Sequence, residues 1–74
     1  MMIIKKEKTE ELKSGRTNVY IADVVGNTAQ HICNVLNGKA SCSFQLAKTL
    51  VALKKCKQIS EISDSEILYY FNKE

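Results

Sequence analysis

Three glycines divide the chain at nearly regular intervals and limit the length of every regular element before residue 38. Gly15, Gly26 and Gly38 stand 11 and 12 residues apart, and the chain contains no proline. Each follows a stretch with helical character, and a glycine after a helix commonly adopts the left-handed conformation that ends it. Because no run alternates strictly between polar and apolar residues over more than four positions, we expect no strands. The pattern predicts an all-α chain.

Apolar spacing and capping residues predict a compact bundle of about five short helices in a single domain, residues 1–74. The expected ranges are Ile4–Ser14, Asn18–Val25, Ala29–Leu36, Ser43–Lys55 and Asp64–Asn72. Thr17 and Thr28 are suitable N-cap residues for the second and third helices, because their hydroxyls accept a backbone N–H of the first turn. Ser63 with Glu66 three residues later forms a capping-box pattern before the last helix.

Length and composition exclude several classes of protein. A chain of 74 residues with 45 % hydrophobic residues buries only about 60 % of its unfolded surface, so its core is thin and a deep active-site pocket is not expected. The apolar runs are too short to span a membrane, and the opening MMIIKKEK lacks the apolar stretch of a secretory signal. We therefore expect a cytoplasmic protein.

The cysteine and histidine content predicts neither a disulfide framework nor a metal site. No CxxC pair occurs among the three cysteines, which are Cys33, Cys42 and Cys56, and His31 is the one histidine.

Charge is distributed unevenly along the chain. Residues 24–60 carry five lysines and no acid, whereas the flanking segments sum to +1 and −3. A segment without carboxylates suits a polyanion, since no like charge repels phosphate. The alternative is a lysine-rich surface with no partner. The same scarcity of acids leaves no nucleophile–histidine–acid set, so we expect neither an enzyme nor a cofactor.

The third expected helix separates into two faces when its residues are projected at about 100° each. One face is apolar and consists of Ile32, Val35 and Leu36. The opposite face carries amides, namely Gln30, Asn34 and Asn37, with Ala29 and Cys33 at the border. Gln and Asn can pair with adenine N6 and N7 in the major groove, and an alanine methyl can meet a thymine methyl. Because this face has no charge, affinity for the DNA backbone must come from elsewhere. The candidates are the helix N-termini near Thr17 and Thr28, Asn18, Lys39 and the lysines beyond it, of which Lys54, Lys55 and Lys57 are most simply a solvated helix end.

Residues 17–37 have the outline of a helix-turn-helix, which is two short helices joined by a turn that contains glycine. Ala22 is small enough for two helices to cross closely, and Gly26 suits a left-handed turn. Residues 16–53 resemble the lambda-repressor-like, Cro- and XRE-type helix-turn-helix family through IADVVG, NTAQHICNVLNGK and SFQLAKTL. The whole chain also resembles small stand-alone members from phages and low-GC Gram-positive bacteria, including its KSGRTNVYIA and EILYYF segments.

This resemblance implies a sequence-specific regulator of transcription, repressor-like, that binds double-stranded DNA with the helix at 29–36 in the major groove. The positions that face base edges in the family correspond to Thr28, Ala29, Gln30 and Asn34. Asn18 corresponds to an amide that clamps phosphate, and the turn along the DNA backbone corresponds to Asn37, Gly38 and Lys39. We interpret His31 as a further neighbour of phosphate. Members of the family usually act as dimers on paired half-sites about one helical turn apart.

Other interpretations remain beside this one. Gln30 and Asn34 are also compatible with a solvated helix face. Tyr69, Tyr70 and Phe71 are typical of a terminal helix that closes the core, and the functional alternative is a homodimer contact. The rival function is a phage or mobile-element protein that uses the helix-turn-helix scaffold to bind and inhibit another protein, as an anti-defence factor does. An excision or partition accessory protein would differ from a repressor only in its DNA site.

Overall fold

Five short α-helices and one small sheet make up the structure, a computed structural model that describes residues 1–74. The elements in chain order are β1 Met2–Ile4, α1 Thr9–Lys13, α2 Asn18–Val25, α3 Ala29–Leu36, α4 Phe44–Lys55, α5 Asp64–Tyr70 and β2 Phe71–Lys73. Single-turn 3-10 helices occupy Lys6–Lys8 and Ile59–Glu61. None of the helices has the length and apolar character needed to cross a bilayer.

The caps expected for the middle helices are confirmed. Thr17 Oγ1 accepts the Tyr20 N–H at 3.1 Å at the start of α2. Thr28 Oγ1 accepts the His31 N–H at 3.2 Å at the start of α3, and Ser43 Oγ plays the same part for α4. Each hydroxyl satisfies one of the N–H groups that a first helical turn leaves without a partner. The predicted bounds of α2 and α3 agree with the structure.

The prediction of an all-α chain is wrong at both ends. β1 pairs antiparallel with β2, with Met2 opposite Lys73 and Ile4 opposite Phe71. The helix expected over Ile4–Ser14 is therefore reduced to α1, and the last helix ends at Tyr70. Strands of three residues are too short to show alternation, and their pairing depends on contacts between the two ends of the chain. The extended conformation also places Met2, Ile4 and Phe71 in the core.

The core lies between the helices and one face of this sheet. Phe71, Ile32, Val35, Ala47, Val51 and Ile67 are completely inaccessible to solvent. α2 packs on α3 and α4, and α4 also contacts α1 and α5. Small side chains at Ala22 and Ala47 are buried where they leave room for close packing. This packing buries one face of α3 against the rest of the chain and leaves the opposite face towards solvent.

Glu66 links the start of α5 to the end of α4. Its carboxylate accepts the Ser63 N–H at 2.8 Å, which completes the capping box. It also lies 3.8 Å from Lys55 Nζ and 3.9 Å from Lys57 Nζ. The Ser63 N–H and then these two ammonium groups lower the pKa of Glu66 below its ordinary value. Two of the five lysines in residues 24–60 are therefore paired within the chain.

Replacement of Phe71 tests the role of β2 in the core. Phe71→Ala should reduce the free energy of unfolding by about 3–5 kcal/mol, because it empties a fully buried aromatic site. Leu68→Ala is the matched control, since Leu68 is 39 % exposed, and should cost less than about 1 kcal/mol. Urea unfolding followed by circular dichroism measures both. Equal losses would mean that β2 does not pack on the core.

Candidate nucleic-acid interface

A tight corner of three residues joins α2 to α3. α2 ends at Val25 and α3 begins at Ala29. Gly26 has a φ of 77°, in the left-handed region where a Cβ is penalised. The Ala22 carbonyl accepts the N–H groups of both Gly26 and Asn27. The turn expected at Gly26 is present, and these bonds set the direction in which α3 leaves it.

The apolar and amide faces expected for α3 are present. Ile32, Val35 and Leu36 are fully buried. Gln30 and Asn37 are exposed, and Asn34 is partly exposed one turn after Gln30. Ala29 and Cys33 have intermediate exposure, as residues at the border of the two faces should. The packing of α3 therefore presents its amide side chains to solvent.

Gln30 and Asn34 are linked to each other. Gln30 Nε2 donates to Asn34 Oδ1 at 3.2 Å. This bond uses one hydrogen of the Gln30 amide and one lone pair of the Asn34 oxygen. Gln30 Oε1, its second amide hydrogen and both Asn34 amide hydrogens remain without a partner in the chain. The pair therefore holds its own geometry while keeping both donors and acceptors available for a ligand.

The N-terminal ends of α2 and α3 offer further donors. Residues 18 and 19 of α2 and residues 29 and 30 of α3 make no backbone hydrogen bond through their N–H groups. These groups carry the positive end of the helix dipole, where anions bind favourably. Asn18 has no side-chain hydrogen bond, and its Oδ1 is buried without a partner. His31 is partly buried beside the cap of α3.

The turn after α3 is different, because its backbone donors are already used. The N–H groups of Asn37, Gly38 and Lys39 bond to carbonyls of α3 at 2.9–3.1 Å. Asn37 Nδ2 also donates to Cys33 Sγ at 3.3 Å. A contact from this turn to a DNA backbone must therefore come from the side chains of Asn37 and Lys39. Gly38 has neither a side chain nor an available N–H, so it can contribute only its small volume.

Residues 17–60, which include α2, α3 and α4, carry almost no negative charge. Asp23 on α2 is the one acid between residues 17 and 60, and it is exposed. Lys39 forms no ion pair, whereas Lys55 and Lys57 both lie beside Glu66. The cationic character of residues 24–60 is therefore weaker at the end of α4 than the sequence alone indicates, and it is retained beside α3.

An apolar patch on α2 was not identified from the sequence. Val19, Tyr20 and Val24 are 69 %, 50 % and 49 % exposed. The available signal was the composition of α2, NVYIADVV, which contains more apolar residues than one helix face can bury. Exposed apolar side chains that lie close together on a small protein often mark a contact with another molecule.

The aromatic residues near the C-terminal end have separate environments. Tyr70 and Phe71 are buried, and Tyr70 Oη donates to Glu11 Oε2 at 3.2 Å. Burial and then the nearby Glu11 carboxylate raise the pKa of Tyr70. Tyr69 is 49 % exposed, and Lys8 Nζ lies 3.9 Å from the centre of its ring. Tyr70 and Phe71 therefore close the core and cannot contact a second copy of the chain. Of the three residues, Tyr69 alone is exposed enough for such a contact.

Comparison with protein-family models, curated proteins and solved structures gives no match for this chain. The resemblance to the lambda-repressor-like family therefore stays a prediction, and so do the roles that it implies for individual residues.

Substitution of Gly26 tests the corner. A Cβ at this position would meet no atom within 4 Å, so the cost of Gly26→Ala is the left-handed backbone alone, about 1–2 kcal/mol. Gly26→Asn should cost less, because asparagine adopts this conformation more readily. Urea unfolding of the two variants gives the comparison. An alanine variant as stable as the parent would contradict a left-handed residue at this turn.

Proposed function

We propose that this chain is a double-stranded-DNA-binding regulator of transcription, repressor-like in action, in which α2 and α3 form a helix-turn-helix. The observation that carries the proposal is the exposed amide face of α3, directly after the tight corner at Gly26. An α-helix with its side chains is about 10–12 Å wide, and the major groove of B-DNA is about 12 Å wide. α3 therefore has the dimensions of a recognition helix.

The amide face supplies direct contacts to bases. Gln30 and Asn34 each retain the oxygen and the hydrogen needed for paired bonds to adenine N6 and N7, even with the bond between them in place. The Ala29 methyl is small enough to meet a thymine methyl, and the Thr28 hydroxyl can still donate while it accepts the His31 N–H. We infer that the preferred site is rich in A·T pairs where α3 enters the groove.

Contacts to phosphate supply most of the affinity in this proposal. The open N–H groups at the starts of α2 and α3 are suited to phosphate oxygens, and Asn18 and His31 lie in or next to those first turns. The side chains of Asn37 and Lys39 lie at the opposite end of α3. Contacts at both ends would hold the helix in register, and they carry no sequence information themselves.

Repression needs only occupancy of a promoter, so no catalytic group is required. A module of this size buries a modest interface with DNA, and a second copy on a neighbouring half-site would increase both affinity and specificity. Half-sites about one helical turn apart would allow two copies to contact one face of the duplex. Of the three aromatic residues near the C-terminal end, Tyr69 is the one available for a contact between them.

The second candidate function is inhibition of another protein. The exposed Val19, Tyr20 and Val24 on α2 favour it, because nucleic acid gives apolar side chains little to contact outside the bases. An anti-defence factor of a phage or mobile element would use such a patch. Recovery of a stoichiometric protein partner that depends on Val19 and Val24, with no shift of any DNA pool, would favour this candidate over the first.

Salt dependence tests the proposed binding to DNA. Selection from a random duplex pool at two salt concentrations should enrich one sequence, with two related half-sites if the chain binds as a dimer. The logarithm of affinity should fall with the logarithm of salt concentration by about 0.9 for each phosphate contacted. Failure to enrich any sequence, together with no salt-dependent complex, would overturn the proposal.

Removal of the amides tests the assignment of α3 to the groove. Gln30→Ala and Asn34→Ala should each lose about 1–3 kcal/mol of binding free energy on the selected site and little on random duplex. Asn72→Ala is the matched control, because it removes an exposed amide from β2, and it should change neither value. Fluorescence anisotropy with labelled duplexes gives the affinities. Equal losses on both duplexes would show that these amides do not read bases.

A further inference from the structure

Lys6 lies against the turn that follows α3. An ideal Cβ placed on Gly38 would be 3.3 Å from Lys6 Cε and 3.6 Å from Lys6 Cγ. The methylene stem of Lys6 thus packs closely against the face of Gly38 that carries no side chain. Lys6 and Lys39 are far apart in the sequence, and this packing brings the Lys6 side chain to the end of α3 where Lys39 follows Gly38.

The position of Lys6 is supported by its neighbours. Thr9 Oγ1 donates to the Leu36 carbonyl at 2.9 Å, at the last residue of α3. Ile4 is buried, and its Cγ2 lies 4.0 Å from the ideal Cβ position of Gly38. The segment from β1 to α1 therefore contacts the end of α3 on both sides of Lys6. These contacts of Ile4 and Thr9 help to position the Lys6 side chain.

The ammonium group of Lys6 has no partner within the chain. The carbonyls of residues 33–36, in the last turn of α3, already accept other donors. The ion pairs of the structure involve Lys8, Lys55 and Lys57, and neither Lys6 nor Lys39. Both side chains are exposed. Two lysines without an ion pair are therefore found at the end of α3, Lys6 against Gly38 and Lys39 next to it in the chain.

We propose that Lys6 and Lys39 form a phosphate-binding pair that contacts one strand of duplex DNA beside the C-terminal end of α3. This inference rests on the proposed function and adds a contact from the N-terminal segment to it. Phosphate is the fitting ligand because neither lysine is in an ion pair, although Glu7 and Glu10 stand near Lys6 in the sequence, and because lysine binds phosphate as a point charge. The pair also offsets the negative end of the α3 dipole, which would otherwise repel a phosphate there.

Methionine substitutions separate charge from packing. Lys6→Met keeps an unbranched stem on Gly38 and removes the ammonium group, so the fold should be retained. Lys6→Met and Lys39→Met should each reduce the slope of log affinity against log salt by about 0.9, on the selected site and on random duplex alike. Lys73→Met is the control, since it removes an exposed, unpaired lysine from β2, and should leave the slope unchanged. Lys6→Arg should restore it.

The outcomes distinguish this inference from the proposed function. If the parent binds duplex with a salt-dependent affinity and Lys6→Met matches Lys73→Met, the phosphate pair is overturned while the DNA-binding proposal stands. If the parent binds no duplex, both fall. Urea unfolding of Lys6→Met provides the structural check. A loss of affinity that Lys6→Arg does not restore, accompanied by lower stability, would assign Lys6 to packing and overturn the pair.

Discussion

The burial of one face of α3 is the constraint on which the rest of the site depends. Ile32, Val35 and Leu36 are each at most 1 % exposed, and a helix of eight residues with three such side chains has little freedom to rotate. Since side chains one turn apart share a face, the rotation that buries the apolar residues also exposes Gln30 and Asn34. The direction of the amide face thus follows from hydrophobic packing, and it needs no interaction of its own to maintain it.

The middle of the chain could be predicted from sequence because its signals are local. Thr17, Thr28 and Gly26 each act within one helical turn of their own position, and the bounds of α2 and α3 follow from them. The termini could not be predicted in this way. β1 and β2 stabilise each other across almost the whole chain, and neither carries an alternating pattern. Helix propensity in KKEKTEELK is real, but the burial of Ile4 and the sheet hydrogen bonds limit the helix to Thr9–Lys13.

The candidate site likewise combines features that local sequence signals predict with features that depend on tertiary packing. The exposed amides of α3 could be found by projecting one segment onto a helix, whereas Lys6 could not, because its place beside Gly38 depends on tertiary packing. The lysines near the end of α4 show the opposite error. Their charge looked available in the sequence, but Glu66 from the next helix lies beside Lys55 and Lys57. A count of charges along the sequence overstates the positive charge available to a partner when an acid that is distant in sequence packs beside the lysines.

In the proposed complex with DNA, the uncharged amide face of α3 would separate specificity from affinity. Amides discriminate between bases through the geometry of paired hydrogen bonds, but they attract a polyanion weakly, so the residues at both ends of α3 must supply the attraction. At its first turn the open N–H groups would supply this attraction without side-chain charge. At its last turn the backbone donors are used within the chain, and only side chains remain. The glycine at position 38 then has two effects, since it ends the helix and leaves room for a lysine from the N-terminal segment. Gly38 therefore marks both the end of α3 and the place where the Lys6 side chain packs beside it.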